Sequence, residues 1–257
     1  MTNKALIISI FAIVIVCAAA AGYFYWQQTK PLKVTDEYLE QSKKKEENMD
    51  RPPQEVTPTT TPKTGEQVTE ALGECKRNFD ENKLKTDKVA IAGRQVEMDV
   101  KGFGKIKLEF YEKDAPKTVE NFLRLVNSGY YNCLTFHRVA KGFVIQGGDP
   151  SGNGTGGFSA FGPKFADELN AQTPSYKAGY AKGVLAMANS GPNTNGSQFF
   201  IMLADNNLPH AYTIFGKVLS GLDVVDKIGQ VTITPQMGPT DGAPVTPVVM
   251  SSVKITK

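Results

Sequence analysis

Two runs carry the side chains most able to do chemistry: Phe136-His-Arg-Val-Ala-Lys-Gly-Phe-Val-Ile-Gln-Gly-Gly-Asp149 and Met187-Ala-Asn-Ser-Gly-Pro-Asn-Thr-Asn-Gly-Ser-Gln-Phe-Phe200. They place one arginine, Arg138, among Phe136, Phe143, Val144, Phe199 and Phe200, with the amides Gln146, Asn189 and Gln198. That mixture suits an uncharged, partly apolar ligand. A guanidinium fixed beside an apolar wall can stabilise charge that develops on such a ligand.

Other constellations are weaker. Gly152-Asn-Gly-Thr-Gly-Gly157 fits G-x-G-x-x-G, yet it follows Asp149-Pro150 and opens no helical pattern, so it reads as a loop rather than a dinucleotide site. Cys133 and His137 on one strand would stand roughly 13 Å apart, too far for a thiol–imidazole dyad or a metal pair. With two histidines and no clustered cysteines, the composition indicates no metal site. A net charge of +3 is too small to argue for a nucleic-acid partner.

The elements that must position these residues follow from apolar spacing. Val96, Met98 and Val100, then Ile106, Leu108 and Phe110, alternate with polar residues and predict a hairpin of half-buried strands. Val119, Phe122, Leu123 and Val126 have helical spacing between Pro116, suited to a first turn, and Gly129, suited to a C-terminal cap. Short apolar runs at 134–140, 143–147, 183–188, 197–203, 213–219 and 247–256 read as further strands. A second helix is expected from Ser220, with Asp223 as capping partner and Leu222, Val225 and Ile228 on its apolar face. Many short strands with two helices give a mainly β fold, a barrel or a sandwich.

The front of the chain is different. Residues 5–26 are uncharged and mostly apolar, end in Tyr23-Phe-Tyr-Trp26, and are long enough to cross a hydrocarbon core of about 30 Å. We read residues 1–30 as an N-terminal transmembrane anchor that places the rest of the chain outside the cytoplasm, periplasmic or at the cell surface. A cleaved signal peptide, which would make the protein secreted, is the alternative, given Lys4 and the small residues Ala18 to Gly22. Residues 31–66 are polar and rich in proline and threonine, a flexible linker. Residues 67–94 form a pre-domain segment, with a short helix expected within Thr69 to Leu84, and carry Cys75. In an oxidising compartment Cys75 could bond Cys133 and staple this segment to the domain; otherwise both are free thiols.

From about residue 95 to 257 the chain resembles the cyclophilin family of peptidyl-prolyl isomerases. Besides the two runs, Ala115-Pro-Lys-Thr-Val-Glu-Asn-Phe122 and Tyr212-Thr-Ile-Phe-Gly-Lys-Val218 stand in family order. The resemblance implies a closed eight-stranded antiparallel barrel with a helix over each end, acting on X-Pro bonds of polypeptides without a cofactor. It implies Arg138 as the catalytic donor to the prolyl nitrogen and Phe143, Val144 and Phe200 as walls of the proline pocket. Gln146 would be a polar partner, and Ala188, Asn189, Ser190 and Gln198 would line the peptide groove, Asn189 through its main chain. Two departures stand out. Leu208 matches a pocket leucine, but Asn207 replaces the common tryptophan beside it. Tyr212 replaces a common histidine, with His210 two residues away. A proline-binding module or chaperone without turnover, or a scaffold displaying the barrel to a partner, are the rival readings.

Overall fold

The structure, a computed structural model, describes residues 75–257. The expected anchor and linker lie outside the described residues, as does the front of the pre-domain segment. Among the described residues no helix is long and apolar enough to cross a membrane.

Among the described residues four helices and ten strands follow one another: α1 (Glu81–Thr86), β1 (Gln95–Val100), β2 (Gly104–Phe110), α2 (Pro116–Asn127), β3 (Thr135–Ala140), β4 (Val144–Gly147), α3 (Pro174–Ala178), β5 (Val184–Met187), β6 (Phe199–Met202), β7 (Ile214–Ser220), α4 (Leu222–Gly229), β8 (Ile233–Gly238), β9 (Asp241–Pro244) and β10 (Val248–Ile255). Eight strands pair in the order β10-β1-β2-β7-β5-β6-β4-β3, and β3 returns to β10 through Phe136 opposite Val248 and Thr135 opposite Val249. The result is a closed antiparallel barrel. Closure removes the unpaired edges an open sheet would leave. The expected hairpin is β1–β2, and each of the six later apolar runs contains a strand.

The barrel is filled by aromatic rings. Phe122, fully buried on α2, lies 5.6 Å from Phe110, 4.9 Å from Tyr131, 5.5 Å from Phe199 and 5.3 Å from Phe215, centroid to centroid. α2 packs on β7 and β10, and α4 on β2, β3 and β4.

α2 spans the expected residues and buries Val119, Phe122, Leu123 and Val126. Its C-terminal turn closes as Tyr130 N donates to Leu125 O and Gly129 N to Val126 O. That arrangement needs the left-handed backbone of Gly129, φ 74°. At the other end Ala115 offers no capping side chain. The Glu168 carboxylate does so instead, accepting from Lys117 N at 3.1 Å and Thr118 N at 2.7 Å. The second helix departs from its expected start. Ser220 closes β7, left-handed Gly221 is the cap, and Asp223 pairs with Lys227 on the helix surface. The buried side of α4 is Val224, Val225 and Ile228, while Leu222 is exposed.

Of the described part of the pre-domain segment, residues 75–94, only α1 is helical, and residues 75–80 run without helix along the barrel; the front of the expected helix lies outside the described residues. Cys75 is disulfide-bonded to Cys133. Phe79 meets Tyr130 edge-on at 5.4 Å, and Arg77 stands over the Tyr130 ring at 5.1 Å. Asn132 bonds the Asn78 side chain and Arg124 donates to Leu84 O. The described part of this segment is therefore packed onto the barrel rather than trailing from it.

The disulfide closes a loop with a sequence separation of 58 residues. Constraining such a loop in the unfolded chain is worth about 4 kcal/mol in the chain-entropy model. Cys75→Ser is expected to lower stability by about 2–4 kcal/mol, read as a fall in Tm of roughly 10 °C. The activity that the family resemblance implies should be unchanged below that transition, and differential scanning calorimetry beside a peptide assay checks both.

Candidate active site

The site is built on the outer face of β3, β4, β6 and β5. Along β6, Phe199 and Ile201 face the main core, while Phe200 and Met202 belong to a second apolar cluster with Ala140, Val144, Ala186 and Ile214. Strict alternation starting from the inward Phe136 would also turn Arg138 inward. A bulge prevents this. Phe136 pairs with Gly147 and Arg138 with Gln146, so His137 is the extra residue on β3. Phe136 and Val139 then fill the core, and Arg138 and Ala140 face outward.

Arg138 is held on three sides. Its Nε donates to Asp241 Oδ1 at 2.9 Å, Nη2 to Asp241 Oδ2 at 2.7 Å, and Nη1 to Gln146 Oε1 at 2.9 Å. Asp241 opens β9, directly opposite Ala140 on β3. The pair is partly sheltered, with side chains 24% and 19% exposed, and the two-pronged geometry fixes the plane of the guanidinium. Of the five N–H bonds of an arginine, three are used here and two remain. The chain continues: Gln146 Nε2 donates to Gln198 Oε1 at 3.0 Å, and Gln198 Nε2 to the carbonyls of Gly154 and Gly156.

Those carbonyls belong to a loop over residues 151–156 that the buried carboxylate of Asp149 organises, accepting from the N–H groups of Ser151, Asn153 and Gly154. Burial pushes the Asp149 carboxyl up, but these backbone donors together outweigh it and hold the group below its ordinary value. The glycine-rich stretch is thus a loop forming one wall of the groove.

Across this face runs one continuous groove of about 860 Å³. Phe143, Val144, Phe200, Leu208 and Tyr212 wall one part of it, with Arg138 and Gln146 alongside and Ala188 and Asn189 at its rim. Tyr212 stands edge-on to Phe200 at 5.6 Å and is fixed by Tyr180, whose hydroxyl donates to Tyr212 O and accepts from Tyr212 N. His210 does not replace the absent pocket histidine, because it stacks on Tyr176 at 4.0 Å. Asn207 is exposed and takes no part in the groove.

Nine of the eleven residues singled out in the sequence therefore share this groove. Ser190 and Gln198 line a smaller adjoining pocket instead, which Gln146, Ala188 and Asn189 also border. The Asn189 amide donates to Ala211 O at 2.8 Å and its Oδ1 accepts from Gly191 N, holding that strand end in place. Cys133 precedes β3 and is spent in the disulfide, away from His137. Sequence reasoning missed Asp241, Tyr180 and the β8–β9 hairpin. Gly238 and the Thr-Asp-Gly stretch at 240–242 signal a turn, but β8 exposes most of its residues and lacks the apolar alternation that marks a strand.

An uncharged, aromatic-walled groove with one fixed guanidinium is a site for holding and polarising a peptide, since none of its residues offers an activated nucleophile. Residues 95–255 match the family model described as cyclophilin type peptidyl-prolyl cis-trans isomerase/CLD. Peptidyl-prolyl cis-trans isomerase-like 1 of Mus musculus is 51% identical over 139 residues, 54% of this chain and 81% of that protein. Peptidyl-prolyl cis-trans isomerase CYP18-2 of Arabidopsis thaliana is 49% identical over 129 residues, 50% of this chain and 76% of that protein. Among solved structures, a cyclophilin type isomerase of Cryptosporidium parvum superposes with a TM-score of 0.57 at 35% identity, covering 64% of this chain and 98% of its own. The same protein, solved in the presence of the dipeptide Ala-Pro, gives a TM-score of 0.56. The chain belongs to the cyclophilin-type peptidyl-prolyl cis-trans isomerases, and its activity is rotation about X-Pro peptide bonds.

The Asp241 fork generates a test. Asp241→Asn keeps the side-chain shape but removes the charge that aligns the guanidinium; if Arg138 has the donor role that the family resemblance implies, misplacing it can cost up to about 100-fold. kcat is then expected to fall by about tenfold with KM little changed. In an Arg138→Ala background the same substitution should have no further effect. Both are read by NMR exchange on an X-Pro peptide.

Proposed function

We propose that Arg138 is the catalytic donor and that the proline ring of the substrate sits between Phe143, Phe200, Leu208 and Tyr212. Rotation about an X-Pro bond breaks amide resonance and faces a barrier of about 18–20 kcal/mol. In the twisted state the prolyl nitrogen regains its lone pair, so a donor aimed at that nitrogen is worth more there than in either planar isomer. The two guanidinium N–H bonds not spent on Asp241 and Gln146 supply it. Apolar walls exclude the water that would compete for that donor. No covalent bond changes, and the residues that hold Arg138 need only keep it still.

The observation that carries this reading is the two-pronged pairing of Arg138 beside the aromatic walls. Asn189, tied down by its own side chain, offers its main chain to the residue before proline, with Ala188, Ser190 and Gln198 bordering that end. A binding module without turnover would need the apolar walls but no oriented guanidinium.

Arg138→Ala in the full chain is expected to lower kcat/KM by about 100-fold or more, the loss typical of one preorganised donor, while proline-peptide binding by calorimetry stays within a few-fold. Unchanged turnover in a folded Arg138→Ala variant would remove Arg138 from the centre of the reaction.

The isomerase acts outside the cytoplasm in this reading, held at the membrane by residues 5–26 through the linker. Two features support it: the uncharged apolar run of that segment, and the Cys75–Cys133 bond, which suits an oxidising compartment. Its clients would be newly exported polypeptides whose X-Pro bonds limit folding by tens of seconds. After cell fractionation the protein should resist carbonate extraction and be degraded by protease added to cells with permeable outer layers. Release of a shortened chain into the medium would favour the cleaved signal peptide.

A further inference from the structure

The match to the family model starts at residue 95, but the described residues ahead of it reach further than the outer surface of the barrel. Asp80 N donates to Ser128 O, and the Arg77 guanidinium lies over the Tyr130 ring while donating to Tyr130 O at 3.4 Å. Phe79 meets that ring edge-on at 5.4 Å and Phe158 closes a further side at 5.1 Å, which leaves Tyr130 fully buried. The disulfide joins Cys75 to Cys133 outside this set of contacts, so its loss leaves them in place.

What the Tyr130 hydroxyl touches connects these contacts to the groove. It stands 3.0 Å from Ser197 Oγ. Ser197 has a single hydroxyl proton and gives it to Gly148 O at 2.7 Å, so Tyr130 is the donor between the two. The neighbouring Tyr131 hydroxyl donates to Ser197 O at 2.9 Å. Ser197 is fully buried, and glycine backbone packs against it on two sides: a side chain at Gly148 would collide with its carbonyl, and one at Gly157 with its hydroxyl. Ser197 is thus a junction. It ties the exit of β4 to the end of the glycine-rich loop, and its chain neighbour Gln198 carries the amide that accepts from Gln146 and donates to the loop carbonyls. Of the two tyrosines that anchor the junction, Tyr131 packs on the barrel rings Phe122 and Phe199, whereas Tyr130 is covered in part by residues that precede the family domain.

We propose that Tyr130 is a positioning residue for the isomerisation and that the pre-domain segment seats it. With Arg77 and Phe79 on its ring, Tyr130 fixes Ser197, and Ser197 fixes the Gln198–Gln146 relay that steadies Arg138. The working enzyme then begins at the pre-domain segment rather than at residue 95. This rests on the reading above, in which Arg138 is the donor. The coupling is carried by a contiguous chain of buried hydrogen bonds, each of which has its donor and acceptor matched, so that removing one hydroxyl slackens the links beyond it.

The test measures kcat and KM by NMR exchange on an X-Pro peptide for the full chain, its Tyr130→Phe variant, an Arg77→Ala/Phe79→Ala variant, the combination, and Arg138→Ala. All are assayed well below their unfolding transitions, located by thermal unfolding. Tyr130→Phe keeps the ring contacts and removes one hydrogen bond, worth a factor of about two to ten, so kcat should fall by about fivefold with KM little changed. The Arg77/Phe79 variant, whose substitutions lie outside the barrel strands, should show a similar fall. The combination should fall no further, because both act through one hydroxyl. The Arg138 Nε–H signal, identified by its loss in Arg138→Ala, should shift in both variants. A segment that only adds stability would lower the unfolding temperature and leave kcat and that signal as in the wild type, which would overturn the proposal. So would a loss of kcat in Tyr130→Phe that the Arg77/Phe79 variant does not share. Wild-type turnover by Arg138→Ala would instead bring down the reading of Arg138 on which the proposal stands.

Discussion

A guanidinium facing an aromatic-walled groove must be kept there against its preference for water, and the way this is done organises the molecule. Arg138 is paired on one flank by Asp241 and on the other by Gln146, and Gln146 passes the constraint through Gln198 to the carbonyls of a loop that Asp149 anchors. Each link satisfies a polar group that would be costly if left alone in a partly sheltered site. One guanidinium is therefore stabilised by residues from β9, β4, the segment before β6 and the 151–156 loop, and the barrel is the frame that brings these together.

The aim of that side chain depends on one extra residue. Without His137 as a bulge, the outward direction of Arg138 and the inward direction of Phe136 could not both hold on a continuous β3. The bulge also leaves the His137 ring in a sheltered position with no hydrogen-bond partner among the described residues.

The departures from the common family pattern fall at one edge of the aromatic-walled part of the groove. Tyr212 takes the place of a histidine, and the Tyr180 hydroxyl holds it against Phe200 by bonding both its N–H and its carbonyl. Asn207, where a tryptophan is common, points to solvent and leaves Leu208 to line the pocket. The wall is preserved with different side chains. Arg138 and its partners lie on other strands and are untouched by the change.

The sequence alone determined what local periodicity and short motifs can carry: the β1–β2 hairpin from its alternation, α2 from Pro116, its apolar spacing and Gly129, the later strands from their apolar runs, and the identity of the pocket residues from their place in the family motifs. Tertiary structure decided what depends on residues distant in the chain. Asp241 reaches Arg138 only because β9 lies beside β3, and Glu168 caps α2 from a separate loop. Whether Cys75 and Cys133 are bonded or free thiols could not be decided from spacing, since a bond requires the two backbones to approach, here to 5.6 Å between Cα atoms. The β8–β9 hairpin escaped because its residues are largely exposed, and solvent imposes no alternation on a strand that buries neither face. The orientation of Arg138 escaped because a bulge shifts the phase of a strand without leaving a mark in residue types.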